Sequence, residues 1–176
     1  LMDEEPEADE GYVTLVNAKY VDGALTETDE RTGLWAWKHP HGDGTLTYTK
    51  LCGDVRMVEV DFGYTPEKTV LHDVTLYAEP GQKVAFVGAT GAGKTTLINL
   101  LMRFYDTSSG TILVDGKPIR SIRRESLRES FGMVLQDTWL FSGTVEENLK
   151  YGKKDASLDE IKSAAKASNV EHIIET

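Results

Sequence analysis

The chain has 176 residues, 40% of them hydrophobic, and a formal net charge of −10, which suits one ordinary domain with a buried core and excludes a wholly disordered chain. The charge is uneven: residues 1–30 hold ten carboxylates against Lys19 alone, and the rest is close to neutral, so the clustered Lys and Arg of a nucleic-acid-binding surface are missing. The single cysteine, Cys52, excludes an internal disulfide framework, and no apolar run approaches the roughly eighteen residues of a membrane span.

Residues 1–10 are charged and contain Pro6, and read as an extended linker. Over 11–54 the signals are weaker. Tyr12, Val13, Leu15 and Val16 suit a short strand, residues 45–49 alternate as a strand should, and Pro40 with its neighbouring glycines marks turns, so a small strand-and-turn appendage is expected. Trp35 and Trp37, two apart, belong on one face of a strand, where core packing outweighs a ligand platform. His39, His41 and Cys52 lack the paired spacing of a metal site.

From residue 55 the pattern sharpens. Val58, Val60 and Phe62 alternate with Glu59 and Asp61, which predicts a half-buried strand, with residues 70–77 as its partner. Val84-Ala85-Phe86-Val87 is a continuous apolar run, as in a parallel strand covered on both faces. Leu97, Leu100, Leu101 and Phe104 repeat at helical spacing, so a helix opens near Gly93 and lays one stripe on the sheet. Residues 111–114 read as a strand ending in the turn pair Asp115-Gly116, and residues 133–135 as another short buried strand. Arg120, Arg123, Arg124 and Arg128, interleaved with Glu125 and Glu129, read as a solvated helix face. Thr144 with Glu147, and Ser157 with Glu160, are capping boxes opening two helices, the second with a stripe of Leu158, Ile161 and Ala165.

One stretch carries chemistry. Gly88-Ala89-Thr90-Gly91-Ala92-Gly93-Lys94-Thr95 fits the phosphate-loop pattern GxxxxGK[ST] and lies between the apolar run and the helix start. Glycines allow the backbone angles that turn successive N–H groups inward, and the helix start adds its positive dipole end, so such a loop cradles a triphosphate. Lys94 would reach the β and γ phosphates, the Thr95 hydroxyl would ligand Mg²⁺, and Thr96 could contact the α phosphate. Binding of a nucleoside triphosphate is the expectation, with Gly88, Thr90, Gly91, Ala92, Gly93, Lys94, Thr95 and Thr96 forming the phosphate site.

The loop alone does not choose among kinases, GTPases, motors and transport ATPases; its flanks do. Phe62-Gly63-Tyr64, then Val70-Leu71-His72-Asp73-Val74, Pro80-Gly81-Gln82-Lys83, the phosphate loop, Gly110 to Gly116, Val134-Leu135-Gln136-Asp137 and Leu140 to Leu149 form an ordered series. The series resembles the nucleotide-binding domain of ABC transporters, specifically exporters with fused membrane and ATPase domains, over about residues 55–174. The resemblance implies an α/β fold, a P-loop NTPase core with an antiparallel β subdomain, truncated before the Walker B strand. Residues 1–10 would be the linker from a preceding membrane domain, 11–54 an inserted strand-and-turn segment, and 55–176 a partial nucleotide-binding domain.

By the same resemblance, Tyr64 matches the aromatic residue that stacks on adenine, and a flat ring suits a purine. Gln136 matches the glutamine that reaches Mg²⁺ and the attacking water, so Gln136 and Lys94 are the expected catalytic groups, and Thr95 and Gln136 the expected metal ligands. Trp139, Leu140 and Phe141 are either core or an exposed groove; the family places there the surface that receives the coupling helices of the membrane domain. Implied partners are a second nucleotide-binding domain and that membrane domain, at the cytoplasmic face of the cell membrane, with ATP and Mg²⁺ as ligands and no nucleic acid. The function so implied is ATP-driven export of an unknown substrate. A regulatory, degenerate-site module of a heterodimeric transporter and a soluble ABC ATPase without transport are the alternatives. The Walker B aspartate and its neighbouring glutamate are not found in this sequence, and a chain without that strand is expected to expose an apolar sheet edge and to fold weakly.

Overall fold

The computed structural model describes residues 7–134 and 139–170, in two compact units, residues 1–132 and 133–176. The first unit contains two four-stranded sheets. One is wholly antiparallel in the order β2-β1-β3-β4, from β1 (Thr14–Val21), β2 (Ala24–Glu27), β3 (Trp35–Pro40) and β4 (Leu46–Lys50). The hairpin β1–β2 turns on Asp22 and Gly23, both with positive φ, as a two-residue loop needs if it is to match the strand twist. That Asp-Gly pair is a hairpin signal the sequence reading passed over.

The second sheet runs β6-β5-β7-β8 and is also antiparallel, from β5 (Val55–Thr65), β6 (Lys68–Ala78), β7 (Ser109–Val114) and β8 (Lys117–Pro118). In β5 the expected alternation holds for Val60 and Phe62 but breaks at Val58, because Met57 and not Val58 is fully buried. The cause is a bulge: Glu59 has φ 50 and the register with β7 shifts between Val58 and Asp61. The bulge brings the Glu59 carbonyl so close to Gly110 that a Cβ there would lie 2.2 Å from it, so glycine is required at 110.

The core of this unit is one cluster that joins both sheets: Trp37 from the first, Met57, Val60, Phe62, Leu71, Ile112 and Val114 from the second, Leu97, Leu100, Ile119 and Leu127 from the helical segments, and Val13 and Ile122 from the chain outside these elements. One carboxylate reinforces the junction. Asp115, with φ 49 in the β7–β8 turn, accepts from Trp37 Nε1 at 2.8 Å and from the backbone amides of Cys52, Gly53 and Asp54, each at 2.9 Å. Trp37 therefore packs in the core, as expected, and its one polar atom is satisfied there.

Helix α1 (Lys94–Leu101) follows the phosphate loop. It is shorter than its apolar stripe predicted: Phe104 lies beyond the helix end and is exposed, because Arg103 turns the chain with φ 51. Two expected strands are not formed among the described residues. The backbone over 82–89 has no strand partner among the described residues, and Val84, Phe86 and Val87 are exposed, Val87 at 94%. Met133 and Val134 are likewise exposed and irregular, while Leu135 lies outside the described residues. An apolar run forms a strand only when a neighbouring strand accepts from its N–H groups and donates to its C=O groups, and no described strand takes that place.

The arginine face is solvated as expected at Arg120 and Arg123, but not at Arg124 and Arg128. Arg124, at the start of α2 (Arg124–Glu129), is 9% exposed, and with Arg128 it covers the C-terminal end of α1: Arg124 Nη1 donates to the Arg103 carbonyl, and Arg128 Nε to the Met102 carbonyl at 3.2 Å. Cations are favoured at a helix C-terminus. The acidic N-terminal residues lie against the same groups, with Asp9 accepting from the Arg124 amide at 3.0 Å and Glu7 paired with Arg128 at 2.9 Å. Beyond it Val13 forms a parallel bridge with Ile122.

In the second unit both capping boxes form as the sequence predicts, opening α3 (Val145–Leu149) and α4 (Leu158–Ala167). Glu160 also accepts from Lys153 at 2.6 Å, and that bond together with the Ser157 amide and hydroxyl holds its carboxyl down to about 2. Ile161 and Ala165 face inward on α4, but Leu158, at the helix start, is exposed. No described helix is long and apolar enough to cross a membrane.

Candidate functional site

The phosphate loop is a tight turn delivered directly into α1. The Ala92 amide donates to the Ala89 carbonyl at 3.1 Å, Gly91 and Gly93 have φ of 84 and 89, and the helix begins at Lys94. Gly93 combines left-handed backbone with close packing: a Cβ would fall 2.7 Å from Leu71 Cδ2. The first bond back into the helix is the Leu97 amide to the Gly93 carbonyl, so the amides of Lys94, Thr95 and Thr96 have no intrahelical acceptor and form the positive end of the helix dipole. This is the arrangement that takes up an anion.

Lys94 curls back over the loop, its Nζ donating to the carbonyls of Gly88 at 2.6 Å and Ala89 at 2.8 Å. Among the described residues it pairs with no carboxylate, so its charge is available to a phosphate at the loop mouth. The Thr95 side chain is exposed beside it, and Gly88, Thr90, Gly91 and Ala92 line the open turn. A divalent cation fits this setting, since a free hydroxyl at the helix start is a hard oxygen donor.

Thr96 is placed differently from the expectation of a simple phosphate contact. Its side chain is buried, and its hydroxyl lies 3.1 Å from the hydroxyl of Tyr64. Tyr64 stands at the end of β5, 48% exposed, beside a hollow of about 410 Å³ lined by Gly63, Tyr64, Thr65, Pro66, Thr69 and Ser108. Two residues that the sequence separates by 32 positions thus meet, an aromatic ring and the phosphate-loop helix. The sequence reading missed two other members of this group: Asn99, whose side-chain amide reaches the Tyr64 hydroxyl at 3.5 Å, and Tyr105, whose ring centroid is 5.1 Å from that of Tyr64. The pair Phe104-Tyr105 just past a helix end was the available signal.

Gln136 lies outside the described residues. In the second unit Trp139 is 84% exposed and Leu140 is equally open, so the loop is not core. Phe141 stacks on Tyr151 with centroids 4.5 Å apart, and Asn148 braces the loop by accepting from the Phe141 amide and donating to its carbonyl. The result is a largely apolar hollow of about 520 Å³ between the loop, α3 and Val170. His39 and His41 stack at 4.6 Å in the first unit, at the end of β3.

Residues 71–176 match the family model of the ABC transporter. Among curated proteins, the chain is 55% identical over 126 residues to a fatty acid ABC transporter ATP-binding/permease protein of Mycobacterium bovis, a match covering 72% of this chain and 20% of that protein. It is 50% identical over 123 residues to a putative multidrug export ATP-binding/permease protein of Bacillus subtilis, covering 69% and 21%. It is 47% identical over 125 residues to a mitochondrial iron-sulfur clusters transporter of Neurospora crassa, covering 71% and 17%. A solved bacterial Atm1-family ABC exporter with ATP bound is similar in fold, with a TM-score of 0.64 and 40% identity over 70% of this chain and 22% of that one. The chain therefore spans about a fifth of the length of the relatives it matches. Since the family model takes in more than half of the chain, and the loop, helix and β7 within it have the geometry just described, the chain belongs to the ABC transporter family and carries part of its ATPase fold.

Proposed function

We propose that the chain is the nucleotide-binding part of an ATP-driven exporter. The observation that carries this reading is the phosphate loop itself, with Gly93 in the left-handed region delivering free helix amides and Lys94 to one point. Hydrolysis of ATP by such a site is in-line phosphoryl transfer, in which the protein positions the groups and neutralises charge.

The chain's own residues divide that work. The amides of Lys94, Thr95 and Thr96 and the Lys94 ammonium bind the phosphates, Lys94 exchanging its bonds to Gly88 and Ala89 for phosphate oxygens. Tyr64 offers its ring to adenine from the hollow at the β5 end. Thr95 and Gln136 are the residues to hold Mg²⁺, which when bound supplies charge neutralisation at the β and γ phosphates. Gln136 also orients the attacking water, as an amide can without adding charge.

In the longer protein, residues 1–10 are the linker from a membrane domain, 11–54 an inserted sheet and 55–176 part of the nucleotide-binding domain. The family model beginning only at residue 71 supports treating the first sheet as additional. Trp139, Leu140 and Phe141 receive coupling helices of the membrane domain; their exposure around an apolar hollow supports this. A second nucleotide-binding domain completes the site, at the cytoplasmic face of the membrane.

The test is ATP binding by the full-length protein and its Lys94→Ala variant. A loss of at least about tenfold is expected, since charge-assisted bonds contribute about 1.5–3 kcal/mol each. Unchanged affinity would remove the loop from the nucleotide site.

A further inference from the structure

We infer that Tyr105 is a positioning residue for the adenine platform, an inference that rests on the reading of Tyr64 given above. Tyr64 needs support. It sits next to the β5–β6 turn, where the strand pairing shifts register between Val60 and Phe62, between Phe62 and Gly63, and between Gly63 and Thr65, so regular sheet structure does not fix its ring.

Two contacts supply what the backbone does not. The hydroxyl is held by Thr96 at 3.1 Å and approached by Asn99 at 3.5 Å. The ring is held from the side, by Phe62 at 5.0 Å with planes at 83° and by Tyr105 at 5.1 Å with planes at 89°. Tyr105 and Phe62 also touch, at 5.7 Å, so the three rings form a closed group. Perpendicular aromatic pairs at this distance are attractive and angle-dependent.

Tyr105 is itself firmly mounted. Arg103 reverses the chain at the end of α1, its guanidinium is buried and donates to the carbonyls of Ile119 and Ile122, and the Phe104 amide returns to the Asn99 carbonyl at 2.9 Å. On the far side, Asp106 is bound by Arg103 and Arg124. Phe62 is a core residue, whereas Tyr105 is 46% exposed. Its ring can therefore be removed without opening the core, and its contact with Tyr64 is where that loss falls.

The experiment compares the dissociation constants of ATP and of inorganic tripolyphosphate for the full-length protein and for the Tyr64→Ala, Tyr105→Ala, Tyr105→Leu and Tyr105→Phe variants. Tripolyphosphate engages the phosphate loop alone, so the ratio of the two constants isolates the adenine contact. Tyr105→Ala and Tyr105→Leu are expected to weaken ATP by about three- to tenfold with tripolyphosphate unchanged, and Tyr105→Phe to stay within about twofold because the edge-to-face pair survives. A ratio unchanged in Tyr105→Ala and Tyr105→Leu but altered in Tyr64→Ala overturns the role of Tyr105 alone. A ratio unchanged in Tyr64→Ala overturns the adenine platform and this inference with it. Equal weakening of both ligands in the Tyr105 variants also overturns it, since that would be general damage to the loop.

Discussion

The sheet of residues 11–54 and the segment of residues 79–93 invert the relation between sequence signal and structure. The first offers no motif, yet all four of its strands are hydrogen-bonded to neighbours and its Trp37 is in the core. The second contains the sharpest motif of the chain and the most strand-like apolar run, yet its backbone over 82–89 lies outside every described sheet. A phosphate loop is specified by its own glycines, lysine and helix start, within a few residues. A strand is specified by what lies beside it.

The sharpest way to break the contrast is Trp37→Ala. If the first sheet is as integral as its burial indicates, the change costs about 3–5 kcal/mol, read as a fall in the urea midpoint of the first unit. A cost below about 1 kcal/mol would make the sheet a loose appendage after all. Next comes Asp115→Asn. Each carboxylate oxygen accepts two N–H groups, so whichever position becomes the amide leaves two donors unpaired. A loss of about 2 kcal/mol is expected by the same denaturation, with protection of the Cys52 to Asp54 amides from hydrogen exchange falling most.

The smallest effect belongs to the other region. Val87→Ser in the 1–176 chain replaces a side chain that touches almost nothing, and the urea midpoint should move by less than about 0.5 kcal/mol equivalent. A large loss there would mean that the segment is packed as a strand in solution, and the contrast would vanish.

What the sequence made legible was local. Both capping boxes, the Asp115-Gly116 turn and the start of α1 form from residues within four positions of one another. What it hid was relational. The arginines at 124 and 128 look solvated because carboxylates alternate with them, but their partners are carbonyls at the end of α1 and the acidic N-terminal stretch at residues 7–9. The pair Tyr64 and Tyr105 is 41 positions apart and needs the chain reversal at Arg103, a non-glycine residue in the left-handed region that no spacing rule marks. Val58 was assigned the inward face because a bulge at Glu59 cannot be seen in an alternating pattern. For the proposed nucleotide site, the loop is legible in its own residues, the proposed adenine side only through resemblance, and the contacts of Tyr64 with Thr96 and Tyr105 not at all.

If the first sheet is an insertion, as proposed, the indole of Trp37 gives it a one-way history. A segment can be added at a surface loop with little disturbance to the body that receives it. Once its largest side chain occupies core volume and its indole N–H is bound to a carboxylate of the body, deletion is no longer the reverse of insertion. Cutting the segment away in one step would leave a void of indole size and a carboxylate stripped of all four of its donors. A lineage that acquired such a segment can shed it only after other residues have grown to fill the space.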